Sequence, residues 1–249
     1  MIVAIHQPNY IPWLGYFFKI AHVDRFVFLD MVQYPDRSFV NRNSIKTPNG
    51  TALLTIPVLR TGRSGQLINQ VETDNVKRWA QRHMKTMESN YGRAPYFAEV
   101  SALLEPHYLL RGERSNLSEF NMGLIRAIAE YLEIPTSIIC ASELSPSGAR
   151  NDRNLDICRI LGATAYLAGL GAKNYQEDEE FTRAGIEPLY SLFQQQNYPQ
   201  LFGGFIPKLS IVDVLMNCGS KGTRRLLELV DAPQSDQYAG RDEYLSKVQ

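Results

Sequence analysis

Cysteine is scarce in this sequence: Cys140, Cys158 and Cys218 are widely separated and odd in number. No two of them form the close pair that a zinc site uses, and no group of His, Cys and carboxylate residues has metal-ligand spacing. These absences exclude a disulfide scaffold and a zinc module. We predict a reduced, cytoplasmic protein that contains no metal and no other cofactor.

Long apolar runs and an excess of one charge are also missing. The longest apolar runs, such as residues 26–29, are far too short to span a bilayer, and His6-Gln7 interrupts the apolar start before a signal-peptide core can form. The 26 basic residues balance 26 acidic ones. Because a long footprint on duplex DNA needs a basic excess, we expect a small-molecule substrate and regard nucleic acid as disfavoured.

Three common active-site motifs are absent as well. Only Gly15 stands in the first loop, where a dinucleotide fingerprint needs three glycines. The sequence Gly-Leu-Gly-Ala-Lys at 169–173 does not end in the Lys-Ser or Lys-Thr pair of a phosphate-binding P-loop. No Gly-x-Ser-x-Gly elbow exists, which argues against serine-hydrolase chemistry.

The patterns that are present indicate an α/β protein. Residues 2–5 and 26–29 are apolar strands around a helix over 13–22, which together have the length of a βαβ unit. The alternation resumes with strands at 136–140, 164–167 and 187–192, separated by helices over 152–161 and 178–184. We therefore predict a mostly parallel, Rossmann-like sheet.

Two insertions interrupt this alternation. Residues 31–72 are β-rich: the turn signal Asn49-Gly50 lies between strands at 39–45 and 51–58, and a further strand is expected at 66–72. Residues 74–133 are helical, with helices over 74–91, 95–104 and 116–133. Near the end, Gly219 is expected to stop a helix over 211–217 before a last helix at 221–230. We predict a single α/β domain over 1–230 and a polar tail over 231–249.

The segments that follow the parallel strands carry most of the chemically useful side chains. Open α/β sheets bind ligands at the carboxyl edge of their strands. Four segments are expected to meet at that edge, and they are unusually polar: 6–12, 30–43, 141–151 and 169–175. The sequence therefore predicts one ligand site at this edge.

His6 and Asp30 are the candidate catalytic residues. A histidine at the end of the first strand can move a proton near neutral pH, and a carboxylate at the end of the second can bind an amine or a ribose. Gln7, Asn9 and Tyr10 are candidate substrate-positioning groups. In the structural alternative, Gln7 and Asn9 satisfy turn amides, His6 is a buried partner and Asp30 caps the next turn.

Further candidates for substrate binding follow the second and fourth parallel strands. Arg42 lies between Asn41 and Asn43, and its guanidinium suits a carboxylate or a phosphate, although it can equally be a surface strand residue. Gly169 and Gly171 let the backbone approach a ligand closely. Lys173 and Tyr175 follow directly and complete the set.

Several stretches of the sequence resemble the WbqC-like family of bacteria and their viruses. The most specific one is His-Gln-Pro-Asn-Tyr-Ile-Pro-Trp-Leu-Gly-Tyr-Phe at 6–17. Shorter ones follow in order: Phe-Val-Phe-Leu-Asp at 26–30, Ser-Phe-Val-Asn-Arg-Asn at 38–43, Leu-Gly-Ala-Thr-Ala-Tyr-Leu-Ala-Gly at 161–169 and Leu-Ser-Ile-Val-Asp at 209–213. The resemblance extends from residue 1 to about residue 219.

This resemblance implies a role in joining groups to activated acceptors. Members of the family accompany genes for O-antigen and surface-polysaccharide synthesis, and some viral members are associated with glycine transfer during thymidine hypermodification. The hypothesis is a transferase that joins an amino acid or similar group to a phosphate-activated acceptor, a nucleotide-linked sugar. The alternatives are a noncatalytic nucleotide-sugar binding protein and a glycine transferase that acts on hypermodified thymidine in DNA.

Overall fold

The computed structural model describes residues 1–109, 112–169, 171 and 176–228, and the backbone of 238–240. These residues form eight β-strands: β1 (Ile2–His6), β2 (Arg25–Phe28), β3 (Arg42–Thr47), β4 (Gly50–Thr55), β5 (Ser137–Cys140), β6 (Ala165–Ala168), β7 (Glu187–Ser191) and β8 (Tyr238–Gly240). They also form eight α-helices: α1 (Leu14–Ala21), α2 (Trp79–Tyr91), α3 (Phe97–Tyr108), α4 (Leu117–Tyr131), α5 (Ala141–Leu144), α6 (Asn151–Leu161), α7 (Asp178–Arg183) and α8 (Ile211–Leu226).

A six-stranded sheet with the order β5-β2-β1-β6-β7-β8 forms the centre of the fold. The first five strands of that order are parallel, and β8 pairs antiparallel with β7. Counted along the chain, the parallel strands are ordered third, second, first, fourth, fifth, which is the order of the first five strands of a Rossmann sheet. The predicted Rossmann-like sheet is therefore confirmed, and its order reverses between β1 and β6.

Both faces of the sheet are buried. Alternate residues of each strand point to opposite sides of the sheet, and the two sets belong to two different cores. Ala4, Phe26 and Leu167 belong to the larger core, which includes residues of α1, α4 and α8. Val3 and Tyr166 belong to a second core with residues of α6 and α7. The molecule therefore has helices, sheet and helices in three layers.

The two insertions lie between β2 and β5. Strands β3 and β4 form a separate antiparallel hairpin around the turn at Asn49-Gly50, and Gly50 takes a positive φ of 107° there. Helices α2, α3 and α4 follow. Asn116 caps α4 by accepting a hydrogen bond from the backbone N–H of Glu119 at 3.0 Å.

Residues 66–72 do not form the predicted strand. They contain a 3₁₀ turn at Ile68–Gln70, and the Gln70 side chain accepts the backbone N–H of Leu67 at 3.0 Å. The N–H of Ile68 donates to the carbonyl of Val32 at 2.9 Å. The backbone groups are thus satisfied by local and loop contacts, so the strand prediction was wrong.

The two helices predicted around Gly219 are joined into α8 with a kink at that residue. Gly219 has φ 64° and ψ −173°, a conformation that glycine adopts readily. A Cβ at this position would lie 2.5 Å from the ring of Tyr96. Close packing against Tyr96, which directly precedes α3, and the backbone conformation therefore both require glycine here.

Candidate functional site

Buried polar side chains hold the loop that follows β1 in one position. Asn43 donates to the carbonyl of Ile11 at 2.8 Å, and the hydroxyl of Ser210 donates to the same carbonyl at 2.8 Å. Asn121 donates to the carbonyl of Pro8 at 2.9 Å. Ile11 has a φ of 34°, which these contacts stabilise. The loop over residues 7–12 is therefore anchored at the carboxyl end of β1 by side chains from other segments.

A pocket of about 450 Å³ lies at this end of the sheet, where the order reverses between β1 and β6. We call it the switch-point pocket. Its described lining residues are His6, Asn9, Pro12, Trp13, Gly15, Tyr16, Lys19, Phe39, Asn43, Gly169, Gly171, Ser191, Phe193 and Lys208. The segments that follow β1, β6 and β7 all contribute to it. This is where open α/β sheets bind their ligands.

His6 is uncharged at neutral pH in this pocket. Desolvation, reinforced by the nearby charge of Lys19, lowers the pKa of His6 from 6.5 to about 3. Nδ1 lies 3.1 Å from the backbone carbonyl of Gln7. Because a carbonyl only accepts, Nδ1 carries the hydrogen, and Nε2 keeps its lone pair. The imidazole can therefore accept a hydrogen bond from a ligand, but it is a weak base.

Lys19 is a functional candidate that sequence reasoning missed. Its side chain lies in α1 and lines the pocket, yet the residue is only 5% exposed. Burial lowers the pKa of its amine from 10.5 to about 7. Among the described residues, no hydrogen-bond or ion-pair partner of the amine is found. The available sequence signal was that Lys19 is the sole charge among the eight residues of α1.

Aromatic rings form one wall of the pocket. Trp13 and Phe193 meet edge to face with their ring centroids 5.7 Å apart. A Cβ on Gly15 would lie 2.3 Å from the Trp13 ring, so glycine allows the indole to rest on the first turn of α1. Phe39 lines the pocket while 64% exposed. These surfaces suit a flat ring of a ligand.

The charged side chains among the described lining residues are both lysines. Lys19 lies in the buried part of the wall and Lys208 is exposed. No carboxylate is found among those same lining residues. The pocket therefore favours an anionic ligand.

Five of the predicted site residues come together in this pocket: His6, Asn9, Asn43, Gly169 and Gly171. Gln7 contacts two lining residues through its backbone carbonyl, which accepts hydrogen bonds from His6 at 3.1 Å and from the hydroxyl of Tyr16 at 2.9 Å. Lys173 and Tyr175 lie outside the described residues.

The remaining predicted residues do not line the switch-point pocket. The hydroxyl of Tyr10 bonds to His83 at 2.8 Å and to Tyr108 at 2.6 Å in the core. Asn41 donates to the carbonyl of Ile56 at 3.0 Å, and Arg42 is a half-buried residue of β3.

Asp30 joins two strand ends instead of lining the pocket. It accepts the hydroxyl of Ser142 at 2.6 Å and the backbone N–H of Ser142 at 3.0 Å. It also accepts the amide of Asn69 at 3.4 Å. These contacts tie the end of β2 to the start of α5, and they occupy both carboxylate oxygens.

A second hollow, of about 640 Å³, lies beside α6 and α7. Ala149 and residues 150–154 line it together with Glu177 and Glu180. The charge of Glu177 raises the pKa of Glu180. The segment 141–151 thus contributes to this hollow and not to the described lining of the switch-point pocket. Among the described residues, no group of three or more His, Cys, Asp or Glu is arranged to hold a metal.

Comparison with known proteins identifies the family. The model of the WbqC-like protein family matches residues 7–225. This chain belongs to the WbqC-like protein family. The uncharacterized protein Rv1507c of Mycobacterium tuberculosis is 38% identical over 220 residues, which cover 88% of this chain and 94% of that protein. No solved structure matches the chain.

The range matched by the WbqC-like family contains every described lining residue of the pocket except His6. The match of the family model confirms the resemblance that the sequence showed to the WbqC-like family. Within the part of the chain that the structure describes, no helix is long and apolar enough to cross a membrane.

Proposed function

We propose that this protein is a transferase that joins an amino acid, or a similar amine or acyl group, to a phosphate-activated acceptor. The acceptor that we propose is a nucleotide-linked sugar. The observation that carries the proposal is the position of the switch-point pocket, at the strand-order reversal of a nucleotide-binding type of sheet. A cytoplasmic location accompanies the proposal, supported by three cysteines that are all unpaired.

The size and lining of the pocket fit such an acceptor. A volume of about 450 Å³ lies within the range of small-molecule sites. Trp13, Phe193 and Phe39 offer flat apolar surfaces for a base or a sugar ring. Lys208 and Lys19 offer positive charge for phosphate, and Gly169 and Gly171 let the backbone approach it. The ligand would therefore place its ring on the aromatic wall and its phosphates beside the lysines.

For amine transfer, the proposed step is a displacement of phosphate. The amine nitrogen forms a bond to the activated carbon, the carbon–oxygen bond to phosphate breaks, and the nucleotide leaves with the electron pair. The amine proton passes to solvent. His6 Nε2 and Asn9 are the groups that would orient the nucleophile, because orientation contributes strongly to such reactions. A lysine beside the leaving phosphate stabilises its developing charge.

The test is a product screen with purified protein. Isotope-labelled amino acids are combined with a panel of nucleotide-linked sugars, and mass spectrometry follows the labelled product and the released nucleotide. We expect turnover with at least one pair. Lys208→Met should reduce turnover about 10-fold or more, without a change in melting temperature, because Lys208 is exposed. Lys85→Met, at an exposed position on α2, is the matched control.

The other outcomes separate the alternative functions. Nucleotide-sugar binding without turnover for every donor would indicate a noncatalytic binding protein. Salt-sensitive binding to hypermodified DNA, with glycine incorporated there, would indicate the thymidine-modifying function. If no nucleotide-linked sugar binds or reacts, the proposed acceptor is wrong.

A further inference from the structure

Lys19 combines three properties that ordinary surface lysines do not have. The residue is 5% exposed, it lines the switch-point pocket, and its amine has no partner among the described residues. Lysines are rarely buried without a partner. In the same protein, the amine of Lys46 donates to the side chain of Gln200 at 3.1 Å and to the carbonyl of Gly203 at 2.8 Å. Within the part of the chain that the structure describes, Lys19 therefore lacks the compensation that a structural role would require.

The groups that face Lys19 across the pocket do not neutralise it. On the described lining, the titratable groups are His6 at the end of β1, Tyr16 in α1 and Lys208 before α8. Desolvation raises the pKa of Tyr16 and lowers the pKa of His6, so both are uncharged at neutral pH. Lys208 has the same sign of charge as Lys19. Among the described residues, the charged form of Lys19 therefore has no counter-ion, and an anionic ligand would supply one.

We propose that Lys19 is the receptor for the phosphate group of the ligand, and that the pocket takes up a proton when this ligand binds. The identification of the anion as phosphate rests on the proposed function. The inference of an anion rests on the burial of Lys19, on its place in the pocket lining and on the lack of a partner for its amine among the described residues.

The coupling between ligand and proton follows from electrostatics. Burial holds the pKa of the Lys19 amine near 7 in the empty pocket, so at pH 8 most molecules contain the neutral amine. A phosphate within hydrogen-bond distance favours the ammonium and raises that pKa. Binding of each ligand molecule at pH 8 is then accompanied by the uptake of close to one proton from solution by Lys19. Phosphate esters are already fully ionised at pH 8, so the ligand itself neither gains nor loses a proton in solution.

Calorimetric titration measures this proton directly. Binding is followed at pH 8 in two buffers with different ionisation enthalpies, using the five common nucleoside diphosphates and the corresponding nucleosides. We expect uptake of nearly one proton per bound nucleotide. The nucleosides should bind without proton uptake, because they carry no anion.

Two substitutions assign the proton to Lys19. Lys19→Arg keeps a charge that does not titrate near pH 8, so nucleotides should bind to it without proton uptake. Lys19→Met removes the charge and should weaken nucleotide binding roughly 10- to 100-fold, while nucleoside binding is unchanged. Lys85→Met should behave as wild type. Nucleotide binding by wild type without proton uptake, or uptake that persists in Lys19→Arg, would overturn the proposal and leave the proposed function intact.

A second measurement is independent of nucleotides. Trace acetylation of the protein with acetic anhydride is followed by mass spectrometry as a function of pH, with Lys85 as the internal reference. We expect the reactivity of Lys19 to rise near pH 7, and sulfate, which does not titrate in this range, to move that midpoint upward. If nucleotides fail to bind but sulfate moves the pH midpoint of Lys19 acetylation, the proposed nucleotide-linked acceptor is wrong. The proposal that Lys19 receives an anion is then retained. A midpoint that sulfate does not move shows that Lys19 receives no anion.

Discussion

Lys19 carries a stability cost in the empty protein, which distinguishes it from a residue that serves the fold. We expect Lys19→Met to stabilise the protein at pH 6, because a side chain of similar length then replaces a buried charge. The gain is on the order of 5 kcal/mol, from the lowering of the Lys19 pKa from 10.5 to about 7. Chemical denaturation of wild type and variant at pH 6 measures it.

The pH dependence of this gain has a definite sign. The folded state binds fewer protons than the unfolded state between pH 7 and 10.5, so the penalty in wild type is complete below pH 7 and disappears as the pH rises to 10.5. The advantage of methionine should therefore shrink toward zero near pH 10. Destabilisation by Lys19→Met at both pH values would mean that the amine has a structural partner. Lys85→Met should show neither the gain in stability at pH 6 nor its decrease toward pH 10.

At the scale of elements, helix α1 builds one wall of the pocket through the contact between Gly15 and Trp13. Gly15→Ala improves helix propensity by about 1 kcal/mol. Its Cβ, however, would lie 2.3 Å from the Trp13 ring, so the indole must move. We expect a folded protein with a changed pocket wall and weaker binding of nucleotide-linked sugars, by about 10-fold. Calorimetric titration measures the affinity for nucleotide-linked sugars, and the melting temperature shows whether the variant is folded.

Gly204→Ala is the matched control for this prediction. A Cβ at Gly204 would have no neighbour within 4 Å, and the residue does not have a positive φ. Its substitution should leave ligand binding unchanged. Wild-type affinity in Gly15→Ala would show that the indole of Trp13 does not contact the ligand.

The sequence predicted the elements better than the direction of individual side chains. Short apolar runs located the parallel strands, because a strand that is buried on both faces of a sheet is apolar along its whole length. They could not show that Asp30 finds its partner Ser142, 112 residues away. Nor could they show that Tyr10 enters the core while Asn9, its neighbour, lines the pocket. Such contacts depend on which chain segments meet, and no local pattern contains that information.

At the scale of the whole molecule, topology explains why the four predicted loop segments do not share one pocket. The chain adds β2 and β5 on one side of β1 and then returns to add β6 and β7 on the other side. Because crossover connections keep one handedness, this reversal places α6 and α7 on the opposite face from α1. The loop before α6 therefore opens onto the second hollow. The sequence order of strands, without their spatial order, could not predict this division.

Two desolvated histidines should make the whole molecule sensitive to acid. Burial lowers the pKa of His6 to about 3 and that of His83, which bonds to Tyr10, to about 4. The unfolded chain binds these protons near pH 6.5, so stability is intact above that value and falls as the pH drops toward 4, by about 3 kcal/mol for each histidine. Urea unfolding at pH 7 and at pH 4.5 measures the loss. His83→Gln, which retains a hydrogen-bonding group beside Tyr10, should reduce the acid loss by about half, and an unchanged loss would show that His83 is already protonated in the folded protein.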